Sequence, residues 1–304
     1  MIVTADHTNL NRQNGSTPPG RPALEFEGVS HVYPGGIASL TGVSLKILEG
    51  ESVALCGANG SGKTTLLKLA AGLLAPADGC VRLAGEALAP DTRKNAFRRI
   101  GFLFQDAEDQ LFCPTVRDDI AFGPNNLGLE QEEIASRVRQ AMEMMRIAHL
   151  ADRPIHHLSN GEKKRVALAG LVAMQVPIMV LDEPTSGLDP ASARELVSLL
   201  HMLNREHGYT MLAATHDIGR IPEFAGRVII LKDGRIFADG SAADVLTDIP
   251  ALQAAALEPP VITQYFYLAG RHATESRRSI PLTVAEAVRL YPHGPDGEGA
   301  RPPL

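Results

Sequence analysis

Apolar and polar positions along this chain follow two different periods, and the periods divide it into strands and helices. Leu24, Phe26, Val29 and Val32 alternate loosely and predict a strand. Tyr33 then precedes a Pro34-Gly35-Gly36 turn, and Ser44 to Ile47 predicts a second strand. Short apolar runs at Ser52–Leu55, Gly79–Leu83, Ile100–Gln105, Ile178–Glu183 and Met211–Asp217 read as further strands. Helical spacing lies between them. Thr65 to Ala71 reads as a helix, and Ile134, Val138, Ala141 and Met145, at steps of four, three and four, share one apolar face. Thr115 and Asp118 have capping-box form for a short helix through Phe122 that Pro124 helps to end. Ser159 and Glu162 repeat that spacing at the head of a long helix from Lys163 to about Ala173. Arg227 to Asp239 predicts a hairpin around Asp233-Gly234. Short helices are expected at Ala242–Leu246 and Val284–Leu290, with an irregular link through Pro259-Pro260. Strands that alternate with helices predict an α/β fold.

The stretch Gly57-Ala58-Asn59-Gly60-Ser61-Gly62-Lys63-Thr64 fits G-x-x-x-x-G-K-[ST], a phosphate-binding loop between a strand and a helix. Its glycines let backbone N–H groups turn inward onto phosphate oxygens, and the helix N-terminus adds partial positive charge there. Lys63 is expected to reach the β/γ-phosphates and Thr64 to ligate Mg²⁺.

Composition narrows the class. The 304 residues are 44% hydrophobic and 21% charged, with a net charge of −6. That balance suits a soluble globular protein and argues against a nucleic-acid binder, which needs a basic face. The basic clusters Arg93, Lys94, Arg98, Arg99 and Lys163, Lys164, Arg165 are expected to be solvated faces or helix ends. The three cysteines are too scattered for a disulfide framework or zinc site. No apolar run reaches the ~18 residues of a membrane helix. Any membrane role is therefore expected to come through a partner.

Other candidate residues lie at strand ends. Asp182 and Glu183 close an apolar strand, and because strand neighbours face opposite ways they are expected not to form one metal clamp. Asp182 can serve Mg²⁺ while Glu183 faces the γ-phosphate and an attacking water. His216 is delivered to the same edge. Tyr33 reads equally as a base-stacking ring or a half-buried strand tyrosine. Met142, Met144 and Met145 read as core filler, and His156-His157 as surface histidines without partners at metal-ligand spacing.

Together, in this order, these pieces resemble the ATP-binding-cassette (ABC) ATPases over about residues 23–246. The resemblance implies a P-loop NTPase fold with an antiparallel β subdomain, a helical subdomain and a short C-terminal extension. It divides the chain into a flexible tail (1–21), a cassette (22–240, helical subdomain about 106–173) and an extension with a disordered end (241–304). It implies that ATP contacts Tyr33, Gly57, Asn59, Gly60, Ser61, Gly62, Lys63, Thr64 and Thr65. Mg²⁺ would lie on Thr64, Gln105 and Asp182, with Glu183 as catalytic base and Lys63, Gln105 and His216 beside the γ-phosphate. The usual signature L-S-G-G-Q stands here as Leu158-Ser159-Asn160-Gly161-Glu162. Ser159, Asn160, Gly161 and Glu162 would face the ATP of an opposite subunit, with Asp189 in the dimer-contact loop. Glu162 would bring a carboxylate near that phosphate and weaken ATP affinity unless it caps the helix backbone.

The stretches Gln105–Phe112 and Ala121–Leu129 are similar to those of energy-coupling-factor (ECF) importer ATPases, above all the cobalt and nickel branch. That resemblance implies a peripheral motor on the cytoplasmic face of the cell membrane, working with a transmembrane coupling subunit, a substrate-binding membrane subunit and a second ATPase copy. The alternatives are an ECF ATPase for a vitamin such as biotin, or a soluble ABC ATPase acting on ribosomes or DNA. Against the last, the chain carries one cassette with no charged linker and no long coiled-coil or zinc insertion.

Overall fold

A computed structural model describes residues 20–269 and 280–292 of the chain. The expected flexible tail (all but its last two residues) and the expected disordered end, Pro292 to Leu304 (all but Pro292), lie outside the described residues.

The chain begins with two long antiparallel strands, β1 (Pro22–Tyr33) and β2 (Ile37–Leu48). β2 is longer than the four-residue strand its alternation predicts, because pairing with β1 carries it through four register shifts. After β3 (Ser52–Cys56) and α1 (Lys63–Ala70), β4 (Asp78–Leu83) and β5 (Glu86–Ala87) complete a four-stranded sheet in the order β2-β1-β4-β5. A single-turn helix α2 (Pro90–Arg93) leads to β6 (Ile100–Leu103).

Helices α3 (Val116–Asn126), α4 (Gln131–Met144) and α5 (Asn160–Met174) come next. Pro124 does not end α3. The helix runs two residues past it, with Leu127 N–H bonded to Gly123 O at 3.1 Å and the Asn125 side chain donating to Ala121 O at 2.8 Å. One ladder bond is forgone and the buried ring adds packing. Met142 and Met145 are buried as core filler, while His156 and His157 are exposed.

Then β7 (Ile178–Asp182), α6 (Pro190–Arg205), β8 (Thr210–Ala214), a single-turn α7 (Ile221–Phe224), β9 (Arg227–Lys232) and β10 (Arg235–Ser241) follow. The β9–β10 turn is Asp233-Gly234, both at positive φ (49° and 69°), which matches the twist of a two-residue hairpin. α8 (Ala242–Thr247) and α9 (Ile249–Ala254) are capped by Ser241 and Asp248. α10 (Val261–Leu268) occupies part of the stretch expected to be irregular, and α11 (Val284–Leu290) packs Ala287 near its Phe266.

The second sheet has the order β10-β9-β3-β8-β7-β6, and all its pairings are parallel except β10 with β9. Parallel strands are buried on both faces, so their residues divide alternately between two cores. Val53, Leu55, Ile178, Val180 and Leu212 pack toward α1 and the antiparallel sheet. Ala54, Cys56, Met179, Leu181 and Met211 pack with the helical layer of α3 to α6. This is a P-loop NTPase α/β fold of the ABC ATPase type. The C-terminal ends of β3, β6, β7 and β8 lie along one edge, where open α/β sheets bind ligands.

Candidate nucleotide site

β3 delivers the chain into Gly57–Thr64 with little room for side chains. A Cβ on Gly57 would stand 2.3 Å from Leu231 O, and one on Gly62 would stand 2.6 Å from Ser39 O. Both glycines have positive φ, 155° and 104°. Gly62 is also the N-cap of α1, so no side chain covers the helix's first N–H groups. Those orphan donors and the helix dipole make an anion site.

A cleft of about 610 Å³ opens above this loop. Of the expected residues, it is lined by Tyr33, Asn59, Gly60, Gly62, Lys63, Thr64, Thr65, Gln105, Asp182, Glu183 and His216. Gly57 and Ser61 lie buried beneath the loop, and Ser61 Oγ, fully enclosed, has no hydrogen-bond partner among the described residues. Lys63 folds back over the loop, its Nζ donating to Gly57 O (2.8 Å) and Ala58 O (3.2 Å). Tyr33 is half-buried at the cleft wall; its hydroxyl shares a hydrogen bond with Thr65 Oγ1 at 3.1 Å, and Ser39 Oγ meets the same oxygen at 2.7 Å. His31 packs edge-on against the Tyr33 ring, 4.8 Å between centroids.

Strand geometry ends at Asp182. Glu183 takes a left-handed backbone (φ 46°), its N–H bonded to Ala214 O at 3.0 Å. The alternation of strand neighbours therefore stops between the two carboxylates, and both line the same cleft. A left-handed non-glycine residue costs about 1–3 kcal/mol and marks a position fixed by its surroundings. Burial pushes the Asp182 carboxyl above its ordinary range, opposed by the Thr64 hydroxyl and by Lys68, Lys63 and Lys164. Asp182, Thr64 and Gln105 are hard oxygen donors around one wall of the cleft, the set that Mg²⁺ prefers. The Cys56 thiol behind the loop is pushed up to about 12 by burial and is inert core.

The signature residues lie outside this cleft. Ser159 is the N-cap of α5 and forms a full capping box: its hydroxyl accepts from Glu162 N–H at 3.4 Å, and Ser159 N–H donates to Glu162 Oε2 at 2.7 Å. Glu162 is thus spent on the helix cap, and its carboxyl is held below the usual range chiefly by the Ser159 backbone. Asn160 lines a separate cavity of about 260 Å³ with Gln105 and Ser186. Asp189 caps α6, accepting from Ala191 N–H (2.9 Å) and Ser192 N–H (3.1 Å).

The run Lys163-Lys164-Arg165 lies near a helix end, one of its two expected readings, but is not a solvated face. Lys163 meets Glu108 at 2.5 Å, Arg165 meets Glu195 at 2.6 Å, and Lys164 is buried. The sequence held a signal for Lys164, because it shares the i, i+3, i+4, i+7 face of Ala167, Leu168 and Leu171, all buried.

A P-loop cleft with two strand-end carboxylates and a strand-end histidine defines a nucleotide-hydrolase site. The family profile described as ABC transporter matches residues 40–186. The chain is 41% identical over 267 residues to the energy-coupling factor transporter ATP-binding protein EcfA of Methanosphaera stadtmanae, covering 87% of this chain and 96% of that one. It is 45% identical over 244 residues to the cobalt import ATP-binding protein CbiO of Rhodobacter capsulatus (79% and 86% covered). Among solved structures it resembles CbiO1 of Clostridium perfringens, part of the CbiONQ transporter complex, with TM-score 0.71, 35% identity, and 81% and 99% covered. It also resembles a dimeric ATP-binding cassette holding ADP and Pi (TM-score 0.65, 30% identity, 72% and 98% covered). The chain belongs to the ABC transporter ATP-binding proteins and is an ATPase.

Proposed function

We propose that this ATPase is the motor of an ECF-type importer, that cobalt or nickel ions are its cargo, and that it works as a paired cassette at the cytoplasmic face of the membrane. The transport reading is carried by an apolar groove of about 690 Å³ between the parallel sheet and the helical layer. Phe97, Phe112 and Phe122 stand exposed around it, and Ala167, Leu171 and Met174 of α5 line it. An exposed apolar patch of this kind marks a docking site. The groove fits a short apolar helix of a transmembrane coupling subunit, which holds the substrate-binding subunit beside it. Among the described residues no helix is long and apolar enough to cross a membrane. The metal cargo rests on the likeness to the cobalt import protein.

In the cleft, backbone N–H groups of the loop and Lys63 hold the phosphates and Tyr33 stacks on the adenine. Thr64, Asp182 and Gln105 would hold Mg²⁺, which neutralises charge on the β- and γ-phosphates. Glu183 accepts the proton of the attacking water as it reaches the γ-phosphorus, and His216 steadies the γ-phosphate oxygens. Because Ser159 and Asn160 are exposed and lie outside their own cleft, they act on the ATP of a facing copy. Two ATP molecules are then buried between two chains, and closure moves the docked subunit. The test is uptake of radiolabelled Co²⁺ or Ni²⁺ by source cells. Deletion of this gene should abolish it, and undiminished uptake of both ions would remove the metal assignment.

A further inference from the structure

Lys164 is 3% exposed and has no carboxylate within ion-pair distance among the described residues. Its ammonium instead faces three backbone carbonyls: Gln105 O, at short hydrogen-bond range, Glu183 O at 3.3 Å and Phe104 O at 3.4 Å. Three N–H donors meet three acceptors. Burying an ammonium on neutral acceptors is expensive, and an apolar side chain of similar volume normally serves a core better. Burial lowers the lysine's pKa, while the charges of Asp106, Asp182 and Glu183 raise it.

The carbonyls belong to two segments far apart in sequence. One leaves β6 and carries Gln105; the other leaves β7 and carries Glu183, whose left-handed backbone is pinned at its N–H by Ala214 and at its carbonyl by Lys164. Lys164 itself stands on α5. The head of that helix bears Ser159, and its later turns, at Ala167, Leu171 and Met174, line the apolar groove. A helix moves as a rod, so a tilt imposed at the groove displaces the Lys164 ammonium and with it both carbonyls.

We propose that Lys164 is a positioning residue for ATP hydrolysis, clamping the backbone of Gln105 to that of Glu183 so that occupancy of the groove is transmitted to the hydrolytic carboxylate. The clamp rests on the reading of Glu183 as base and of the groove as docking site. It acts on turnover rather than on nucleotide affinity, because Lys164 does not line the nucleotide cleft.

The test is steady-state Mg-ATP hydrolysis by the full-length chain as wild type, Lys164→Met, Lys164→Arg and Glu183→Gln, with thermal unfolding of each. Misplacing a reacting group by about 1 Å costs on the order of 10²-fold. Lys164→Met should therefore lose about 10- to 100-fold in kcat. Its KM for ATP should stay within about twofold, and its unfolding midpoint should equal or exceed the wild type's. Lys164→Arg, whose guanidinium can serve several carbonyls, should recover most of kcat. Near-normal kcat in Lys164→Met overturns the clamp. So does an equal loss in both variants with lowered unfolding midpoints, which would make Lys164 merely structural. Normal turnover in Glu183→Gln would overturn the base assignment and the clamp with it, whereas an inactive Glu183→Gln beside an active Lys164→Met removes the clamp alone.

Discussion

His216 gives two donors to one oxygen of Glu183: its backbone N–H reaches Oε2 at 3.3 Å and its imidazole Nδ1 reaches it at 2.6 Å. The pair ties the end of β8 to the end of β7 across the cleft. It also means that the proposed base and the residue proposed to steady the γ-phosphate start out engaged with each other. Nδ1–H on the glutamate fixes the imidazole tautomer and leaves Nε2 as the free ring nitrogen. The His216 side chain is 65% exposed, so it can turn toward a phosphate without disturbing the core.

Removing the proposed base should stop hydrolysis without unmaking the site. Glu183→Gln keeps the acceptor for His216 and is expected to cut turnover by about 10²–10⁴, the usual range for a general base. ATP binding, followed with a fluorescent analogue, should be retained.

The signature carboxylate makes a second prediction. Glu162 Oε2 holds Ser159 N–H at 2.7 Å and Ser159 Oγ at 2.8 Å, and Arg153 stands 3.5 Å from Oε1. Glutamine can keep the cap while removing the charge from beside a facing phosphate. Because the carboxylate is already spent on the cap, Glu162→Gln should leave the apparent KM for ATP within about twofold, no more than one screened charge interaction. Because the Glu162 pKa is depressed, the cap's charged form is complete above the ordinary 4.5 and is lost only as pH falls below it. Turnover of wild type and variant should then show the same pH dependence between pH 6 and 8.

Gly57 is required by space as well as by φ. Alanine there would drive a Cβ to 2.3 Å from Leu231 O and 2.5 Å from Ser61 Oγ. Gly57→Ala should destabilise the chain by about 1–3 kcal/mol, as overpacking does, and a urea unfolding midpoint reads this directly.

At the groove, Phe112 is 65% exposed and packs edge-on against Phe122, 4.7 Å between centroids. Phe112→Asp places a charge where an apolar helix is proposed to dock. Recovery of membrane partners on the tagged chain should fall by about tenfold or more, as for a central aromatic anchor. The unfolding midpoint should stay within a degree or two, because the side chain is largely in solvent.

The phosphate loop was legible because its eight residues are contiguous and each answers a local backbone need. The strand ends were legible because apolar runs stop at Asp182 and shortly before His216, so one topological rule brings them to one edge. What escaped was long-range or masked by composition. The tie between Tyr33 and Thr65 spans 32 positions, and no local pattern announces it. Lys164 sits in a basic triplet that reads as surface, although its helical phase puts it among Ala167, Leu168 and Leu171. Pro124 read as a helix stop because the single bond it forgoes is visible in sequence, whereas the packing around its buried ring is not. The left-handed turn at Glu183, which brings both carboxylates into one cleft, depends on Ala214 and Lys164 and had no signal of its own.

The most direct test of the transport motor is what this chain holds in its own membrane. The tagged protein, expressed in its source cell and recovered from gently solubilised membranes, should bring down a multi-pass coupling protein and a second, small membrane protein, identified by mass spectrometry. Recovery of the chain alone from the soluble fraction, or with ribosomes or DNA, would leave the ATPase standing and contradict the importer.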